Sequence, residues 1–575
     1  MKAKLSRSLY LSCAAALASV LTLASSHGAL SIDTASREKS RVFYNTIYPE
    51  SEGVPSGWTG NVATGVAGTT SEAFKRAVIL RVNMFRAYSG IPAGITHYLT
   101  WDGMDQSAAL MMSANNTLSH TPGTNWRFYS VGGATAAGKS NLALGSYGPQ
   151  SINNYMEDAG SINTVAGHRR WILYPQTRQM GTGDIVASGA YNSANALWVQ
   201  DTAHLSDVRP AVRDAFVAWP PKGYVPYQLV YPRWSFAYPG ANFSQSAVSM
   251  TLNGVAIPVA IQSRTNGYGE NTLVFVPNNL NPDAWTGPVK PTSDLSYVVK
   301  VSNVVISGLA KSFTYTVRSF DPARLGSDTP PYLISGSSTP KVGVYKTYTV
   351  PAQVLATGYQ WKSSTKAPFT TLTGAEVLNE VDAKVPTGLL LRDATVKYAG
   401  LYSYHLANPN FAESSFTLKY PVFCNSTSAL TFYSRLGYAT TSQSAIVEVS
   451  VDNGKQWAPI WTQKGNNGAG SASFATRSIS LAAFNGREIK VRFRYAVGAG
   501  SAYTQTSAGM GWYVDNVAFT AAHKLVGSAV SSVAPTPSFS FKPTVAQPYV
   551  LQVRAVVLGS YAREWSVAKS VTAVP

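Results

Sequence analysis

The hydrophobic pattern of this chain changes once, near residue 205, and that change limits the fold more than any other feature. Before it, Phe74, Val78, Val82 and Phe85 recur at near-helical spacing. Thr69 with Glu72 three residues on reads as a capping box, and Gly90 with Pro92 ends the element. A second helix is expected over 104–115, rich in Ala and Met, with Gly-rich loops after it. A third opens at Pro149 with Ile152, Tyr155 and Met156 inward, and a short fourth begins near Gly167. Extended runs such as Ala196–Val199 interleave with these helices, so 69–204 is expected to be α+β. After residue 205 the helical period gives way to alternation. Ala247–Leu252 runs into Asn253-Gly254, a hairpin signal, and Thr272–Val276, Tyr297–Val301 and Phe313–Val317 continue as strands.

A chain of 575 residues with this change is expected to be multidomain, an α+β unit followed by all-β sandwich modules. Its expected parts are an export signal over 1–26, a leader arm without a clear period over 27–68, the α+β unit, and a β module over 205–322. That module begins with a stretch, Trp219–Ser235, too proline-rich to be regular. Gly358–Lys362 and Tyr398–Tyr404 resemble the central-tryptophan strand and the tyrosine corner of immunoglobulin-like domains, with Trp361 and Tyr402 in the marked positions. They set an expected module over 330–418. Ala445–Ser450 leads into Asp452-Asn453-Gly454 and then Trp457, the spacing of an Asp-box hairpin, within an expected jelly-roll (MAM-like) module over 419–520. Residues 521–575 resemble the last two strands of a fibronectin-type module, too few for a sandwich, and are expected to lean on a neighbour.

Lys2, Lys4 and Arg7 precede an apolar run from Leu9 to Leu23, and Ala24-Ser25-Ser26 offers a small-residue cleavage site. Export is expected, to the periplasm or the medium, and the run is too diluted by Ser and Thr to span a bilayer. Cleavage would remove Cys13 and leave Cys424 alone, so the cores must be stable without disulfides, a bacterial style of exported protein. Lys and Arg total 46 against 28 Asp and Glu, but the surplus is spread evenly and no dense basic run supports nucleic-acid binding. Attraction to an anionic envelope polymer is the sharper reading of that surplus, a polar β-rich surface the plainer one.

Several short motifs occur in order between residues 80 and 200. They are Asn83 and Arg86 with Gly90, Leu99–Asp102 with Ala108, Ser119-His120-Thr121, Asn141–Ala143 with Gly145, Gly167–Arg170 with Ile172-Leu173, and Met180–Gly183. Together they make this segment similar to bacterial members of the CAP (SCP-like) superfamily. The resemblance implies an α/β/α sandwich and a cleft of two histidines and two acids that in some members holds a divalent metal. His120 and His168 match the histidines. Ser140 stands where the family has a glutamate, before Asn141, and either Glu157 or Asp158 would be the second acid. Two imidazoles and one carboxylate, as in His120, His168 and Glu157, would hold zinc weakly; no other cofactor is implied.

Arg169 and its neighbour Arg170 either face an anionic ligand or pair with Glu157 or Asp158. His97, His204, His405 and His523 have no ligand-like neighbours in sequence. No Gly-x-Ser-x-Gly elbow, His-Glu-x-x-His or phosphate loop is present. The expected function is binding to an envelope polymer, glycan or protein. The alternatives are a metal-assisted hydrolase or peptidase at His120/His168, and a carrier of a small apolar ligand.

Overall fold

The computed structural model describes residues 29–575 except 284–286, 370–375, 377–379, 387, 410, 411 and 499. The expected export signal, with Cys13, lies outside the described residues. Helix α1 (Arg37–Glu50) opens the fold, capped by Ser36, whose Oγ accepts from the Lys39 N–H at 3.2 Å. It buries Val42, Phe43, Tyr44 and Ile47, so the leader arm expected over 27–68 is corrected. Its apolar positions span too few turns, between Gly- and Ser-rich flanks, to show a period. Helix α2 (Glu72–Ser89) is capped by Ser71, slightly later than expected, and Gly90 ends it at φ +72°. Helix α3 (Leu99–Asn115) begins earlier than expected. Helix α4 (Val131–Ala137) lies where only Gly-rich loop was expected, because Gly132 and Gly133 in its first turn hide it. Helices α5 (Pro149–Glu157) and α6 (Gly167–Ile172) stand as expected.

A four-stranded sheet, in the order Thr96–His97, Gln179–Ile185, Ala194–Trp198, Ser140–Leu144, lies between these helices. Alternation along one strand serves two cores: Leu197 packs with Val82, Phe85 and Ile172, while Ala196 and Trp198 pack with Ala108, Leu110 and Met111 of α3. This is the expected α/β/α layering. The glycines of the Met180–Gly183 motif have a steric task here. A Cβ on Gly183 would lie 2.1 Å from the Asp105 backbone carbon, so α3 could not approach the sheet.

The first β module shares a core with the α+β unit. Its two sheets have four and five strands, and Trp219 stacks edge-on against Phe85 of α2 at 5.2 Å. The stretch expected to be irregular contains three short strands, Val217–Trp219, Gly223–Pro226 and Trp234–Ala237. Its prolines fall at strand ends and in the connections, where no ladder N–H is needed.

The expected boundary at 418 is corrected by strand pairing, because Ser403–Leu406 and Ser414–Leu418 pair with strands Trp512–Thr520 and Glu488–Val497. Strand Ala356–Pro368, carrying Trp361, pairs on one side with His523–Val530 and on the other with Pro548–Val557. Trp361 packs with Tyr348, Phe541, Leu551 and Val553 in a core drawn, among the described residues, from 332–361 and 539–573. Tyr402 instead packs against a separate core of residues 381–522, which include Phe416, Phe432, Phe493 and Trp512. The two immunoglobulin-like signals therefore belong to different sandwiches. The C-terminal segment does lean on a neighbour, but one that lies far upstream in sequence. The described residues between 381 and 522 form a sandwich nested within the outer one, and Pro368 and His523 are cross-strand partners. Chain exit and return thus face each other, and the nested unit leaves the outer ladder intact. Cys424 is buried in the nested sandwich, where burial pushes its thiol up to about 12 and leaves it unreactive.

Candidate functional site

The residues expected to form a cleft fall into three separate arrangements. His168, at the start of α6, has its Nδ1 2.8 Å from Asp158 Oδ1, and the other Asp158 oxygen accepts from the Arg169 N–H. Asp158 follows α5 in the left-handed region, at φ +58°, which turns its carboxylate back toward α6. Burial alone would lower the His168 pKa, but the Asp158 charge and hydrogen bond outweigh it and raise it. Asn141 donates to the His168 carbonyl at 3.1 Å, and the Tyr155 ring lies 5.3 Å from the imidazole. Ser140 stands apart from this group, buried, donating to Asp105 Oδ1 at 2.6 Å. His120 is exposed at the end of α4, its Nδ1 2.7 Å from the Ala137 carbonyl.

Among the described residues, no three His, Cys, Asp or Glu side chains are grouped closely enough to share an ion. The expected ligand set of His120, His168 and Glu157 is therefore not formed. Glu157 is half-buried near Arg169 and Arg233, and burial raises its pKa against their charge. Arg169 matches neither expectation. Its guanidinium donates to the carbonyls of Met156, Glu157 and Arg233, which ties α6 to the first β module. His97 and His204 have carboxylate neighbours that the sequence reading missed: Glu72 at 3.3 Å and Asp201 at 2.8 Å.

Sequence reasoning also missed a buried relay beside His168. The Tyr155 hydroxyl donates to Asn195 Oδ1 at 2.8 Å, and Asn195 Nδ2 donates to Asp184 Oδ1 at 2.8 Å. Burial pushes Asp184 up to about 6, against hydrogen bonds from Gly148, Asn195 and Thr182. Burial likewise raises Asp105. The one available signal was Asp102, Asp105 and Gln106 on the same face of α3 as the buried Ala109. Chemically, this network positions groups, and the Ser140 hydroxyl donates to a carboxylate and to no imidazole.

A different place has room for a ligand. A cavity of about 720 Å³ lies where α1, the nested sandwich and the end of the outer sandwich meet. Glu50 of α1 forms an ion pair with Lys455 across it. Trp457 enters its wall from the Asp-box turn, whose own polar groups are consumed locally: the Ser450 hydroxyl donates to Asp452 at 2.7 Å and accepts from the Gly454 N–H. Trp565 lines it from the outer sandwich, with the Arg554 guanidinium 4.5 Å over its ring. Burial works to raise the Glu564 pKa, but Arg563, the residue's own N–H, Arg487 and Arg41 outweigh it and hold the carboxyl below its ordinary range.

Residues 79–202 match the Cysteine-rich secretory protein family, the CAP domain. No curated protein matches the chain. Among solved structures, carbohydrate-binding modules of the β-sandwich superfamily align at 10% identity and TM-score 0.17, covering 53% of this chain and 96% of theirs. The glycoside hydrolase domain of Endo-D from Streptococcus pneumoniae aligns at 10% identity and TM-score 0.16, covering 42% of this chain and 43% of its own. At these scores neither likeness bears on the fold or function of this chain.

Proposed function

We propose that this chain, with a CAP domain at residues 79–202 followed by β-sandwich modules, is an exported, non-catalytic binding protein whose ligand occupies the cavity between α1 and the two C-terminal sandwiches. The cavity carries the reading. Its volume of about 720 Å³ is that of a small-ligand site, and its walls combine two tryptophans with charged and amide side chains. In the CAP domain the corresponding polar groups are spent on protein partners. Export rests on the basic and apolar segments at the N-terminus, and sequencing of the mature form is expected to begin at about residues 25–31.

The partner this lining suits is a polar polymer such as an envelope glycan, because indole faces stack on sugar rings while planar polar side chains take hydroxyls. The test is retention of the full chain on immobilised envelope polysaccharides. Trp457→Ala and Trp565→Ala are each expected to weaken retention about tenfold or more. Retention unchanged in both variants would place the site elsewhere. Among the described residues no helix is long and apolar enough to cross a membrane, which is compatible with a protein released after cleavage.

A further inference from the structure

We infer that the cavity selects anionic saccharides, sugar rings bearing a carboxylate or phosphate, an inference that rests on reading this cavity as the binding site. Its charges do not cancel. Three of the four acids in the lining have a cation: Glu50 has Lys455, Glu488 has Lys362, and Glu564 has Arg563 at 3.0 Å. Asp452 accepts from the Gln456 N–H and the Ser450 hydroxyl within its own turn. Of the cations, Arg41 is held by both oxygens of Glu38 at 2.6 and 2.7 Å.

Arg487, Lys490 and Arg554 are left over. Among the described residues no carboxylate lies within ion-pair distance of any of the three, and Arg554 donates instead to the neutral Gln360 amide at 2.9 and 2.7 Å. Arg487 also acts on the Glu564 charge without reaching ion-pair distance, but the wall keeps a surplus of positive charge, which focuses a positive potential on whatever enters. A guanidinium also presents two parallel donors that fit a carboxylate or phosphate. The same wall supplies a surface for the sugar ring. Arg554 is stacked on Trp565, and Trp457 carries Arg492 at 4.2 Å over its ring, so each indole is held in place by a cation. The ionised Glu564 carboxylate, already answered by Arg563, accepts sugar hydroxyls.

The test is calorimetric titration of the full chain with three probes at low and high salt: an oligoglucuronate, the neutral oligoglucose of the same length, and glucose 6-phosphate. The anionic probe of the right source is expected to bind at least about tenfold more tightly than the neutral one, with salt eroding the difference. Which anionic probe binds identifies carboxylate or phosphate as the group read. Arg487→Gln and Lys490→Gln are each expected to remove most of that preference, with the folded state checked by circular dichroism. Neither side chain has an ion-pair partner to lose. Equal binding of neutral and anionic probes, or a preference that survives both substitutions, would overturn the inference while leaving the cavity reading intact. Absence of binding by all three probes would overturn it too, and polysaccharide retention by the Trp457 variant then decides the cavity reading separately.

Discussion

In the CAP domain Arg86 lies fully buried and donates to the carbonyls of Pro92, Ile172, Tyr174, Pro175 and Thr177, whereas in the interdomain cavity Arg487 has no carboxylate partner among the described residues. The residue type is the same and the task is opposite. Arg86 serves as a staple that gathers the loop after α6 onto α2, and a ligand could use it only by unmaking the fold. Arg487 stands beyond ion-pair distance of any described carboxylate, although its charge helps to lower the Glu564 carboxyl. The comparison teaches that availability, more than identity, separates a binding side chain from a structural one. It applies to the whole CAP cluster. Asp105, Asp158, Asp184 and Arg169 form a dense polar network, but each is committed to protein donors or acceptors.

The strongest way to break this comparison is Arg86→Met. Five carbonyls would lose their donors in a buried setting, at about 1–3 kcal/mol for each left unsatisfied, so the loss should exceed about 4 kcal/mol. Urea unfolding of the full chain followed by circular dichroism should show the α-helical signal lost at much lower denaturant. A cost under about 1 kcal/mol would mean that these bonds do not hold the domain.

Trp361→Ala comes next, at about 3–5 kcal/mol for a fully buried indole. Hydrogen exchange should rise together in residues 334–368 and 523–573, which flank the nested sandwich in sequence and share one core. Protection of strands Ala429–Leu436 and Trp512–Thr520 should be retained. Exchange rising in 381–520 instead would contradict the nesting and with it the cavity wall that carries Trp565.

A smaller effect concerns His168. Asp158 raises its folded pKa, so the protonated imidazole favours the fold. That contribution is complete below the unfolded value of about 6.5 and fades as pH rises through the higher folded value. The melting temperature of the wild type should therefore fall, relative to His168→Asn, between pH 6 and pH 8. Parallel pH profiles for the two proteins would remove Asp158 as the cause.

The smallest effect expected is that of a chelator. With His120 exposed and in no group of three ligand side chains among the described residues, the melting temperature should move by less than about 1 °C, and His120→Ala should cost under about 0.5 kcal/mol. A chelator-dependent drop of about 10 °C would restore the metal alternative and overturn the contrast between a spent CAP cluster and an open cavity.

Much of the CAP domain was legible because its signals are local. Gly90 stops α2, Pro149 starts α5, and the glycines of Met180–Gly183 clear space for α3. The candidate site was less legible. Spacing along α5 and α6 offered Glu157 or Asp158 as the acid beside His168 without choosing between them, and the structure chose Asp158. His120 could not be separated from them, since its distance depends on how the sheet sits between α3 and α6. Helix α1 was missed because a single short apolar stripe between Gly- and Ser-rich flanks gives no measurable period.

By itself, then, the sequence determined the elements, their caps and turns, and the order of an α+β unit before β sandwiches, because these depend on residues within a few positions of each other. It also marked Trp361, which lies buried on Ala356–Pro368, and Tyr402, which stands half-buried just before Ser403–Leu406. Tertiary structure alone decided that those strands belong to different sandwiches. Alternation tells a strand which face is inward but carries no record of which edge it will meet. The pairing of Pro368 with His523 was decided at that level. So was the cavity, whose walls come from residues 41–50, 449–458, 484–490 and 554–565. Whether an arginine is spent or free depends on what stands opposite it, and what stands opposite is set by the packing of segments hundreds of residues apart.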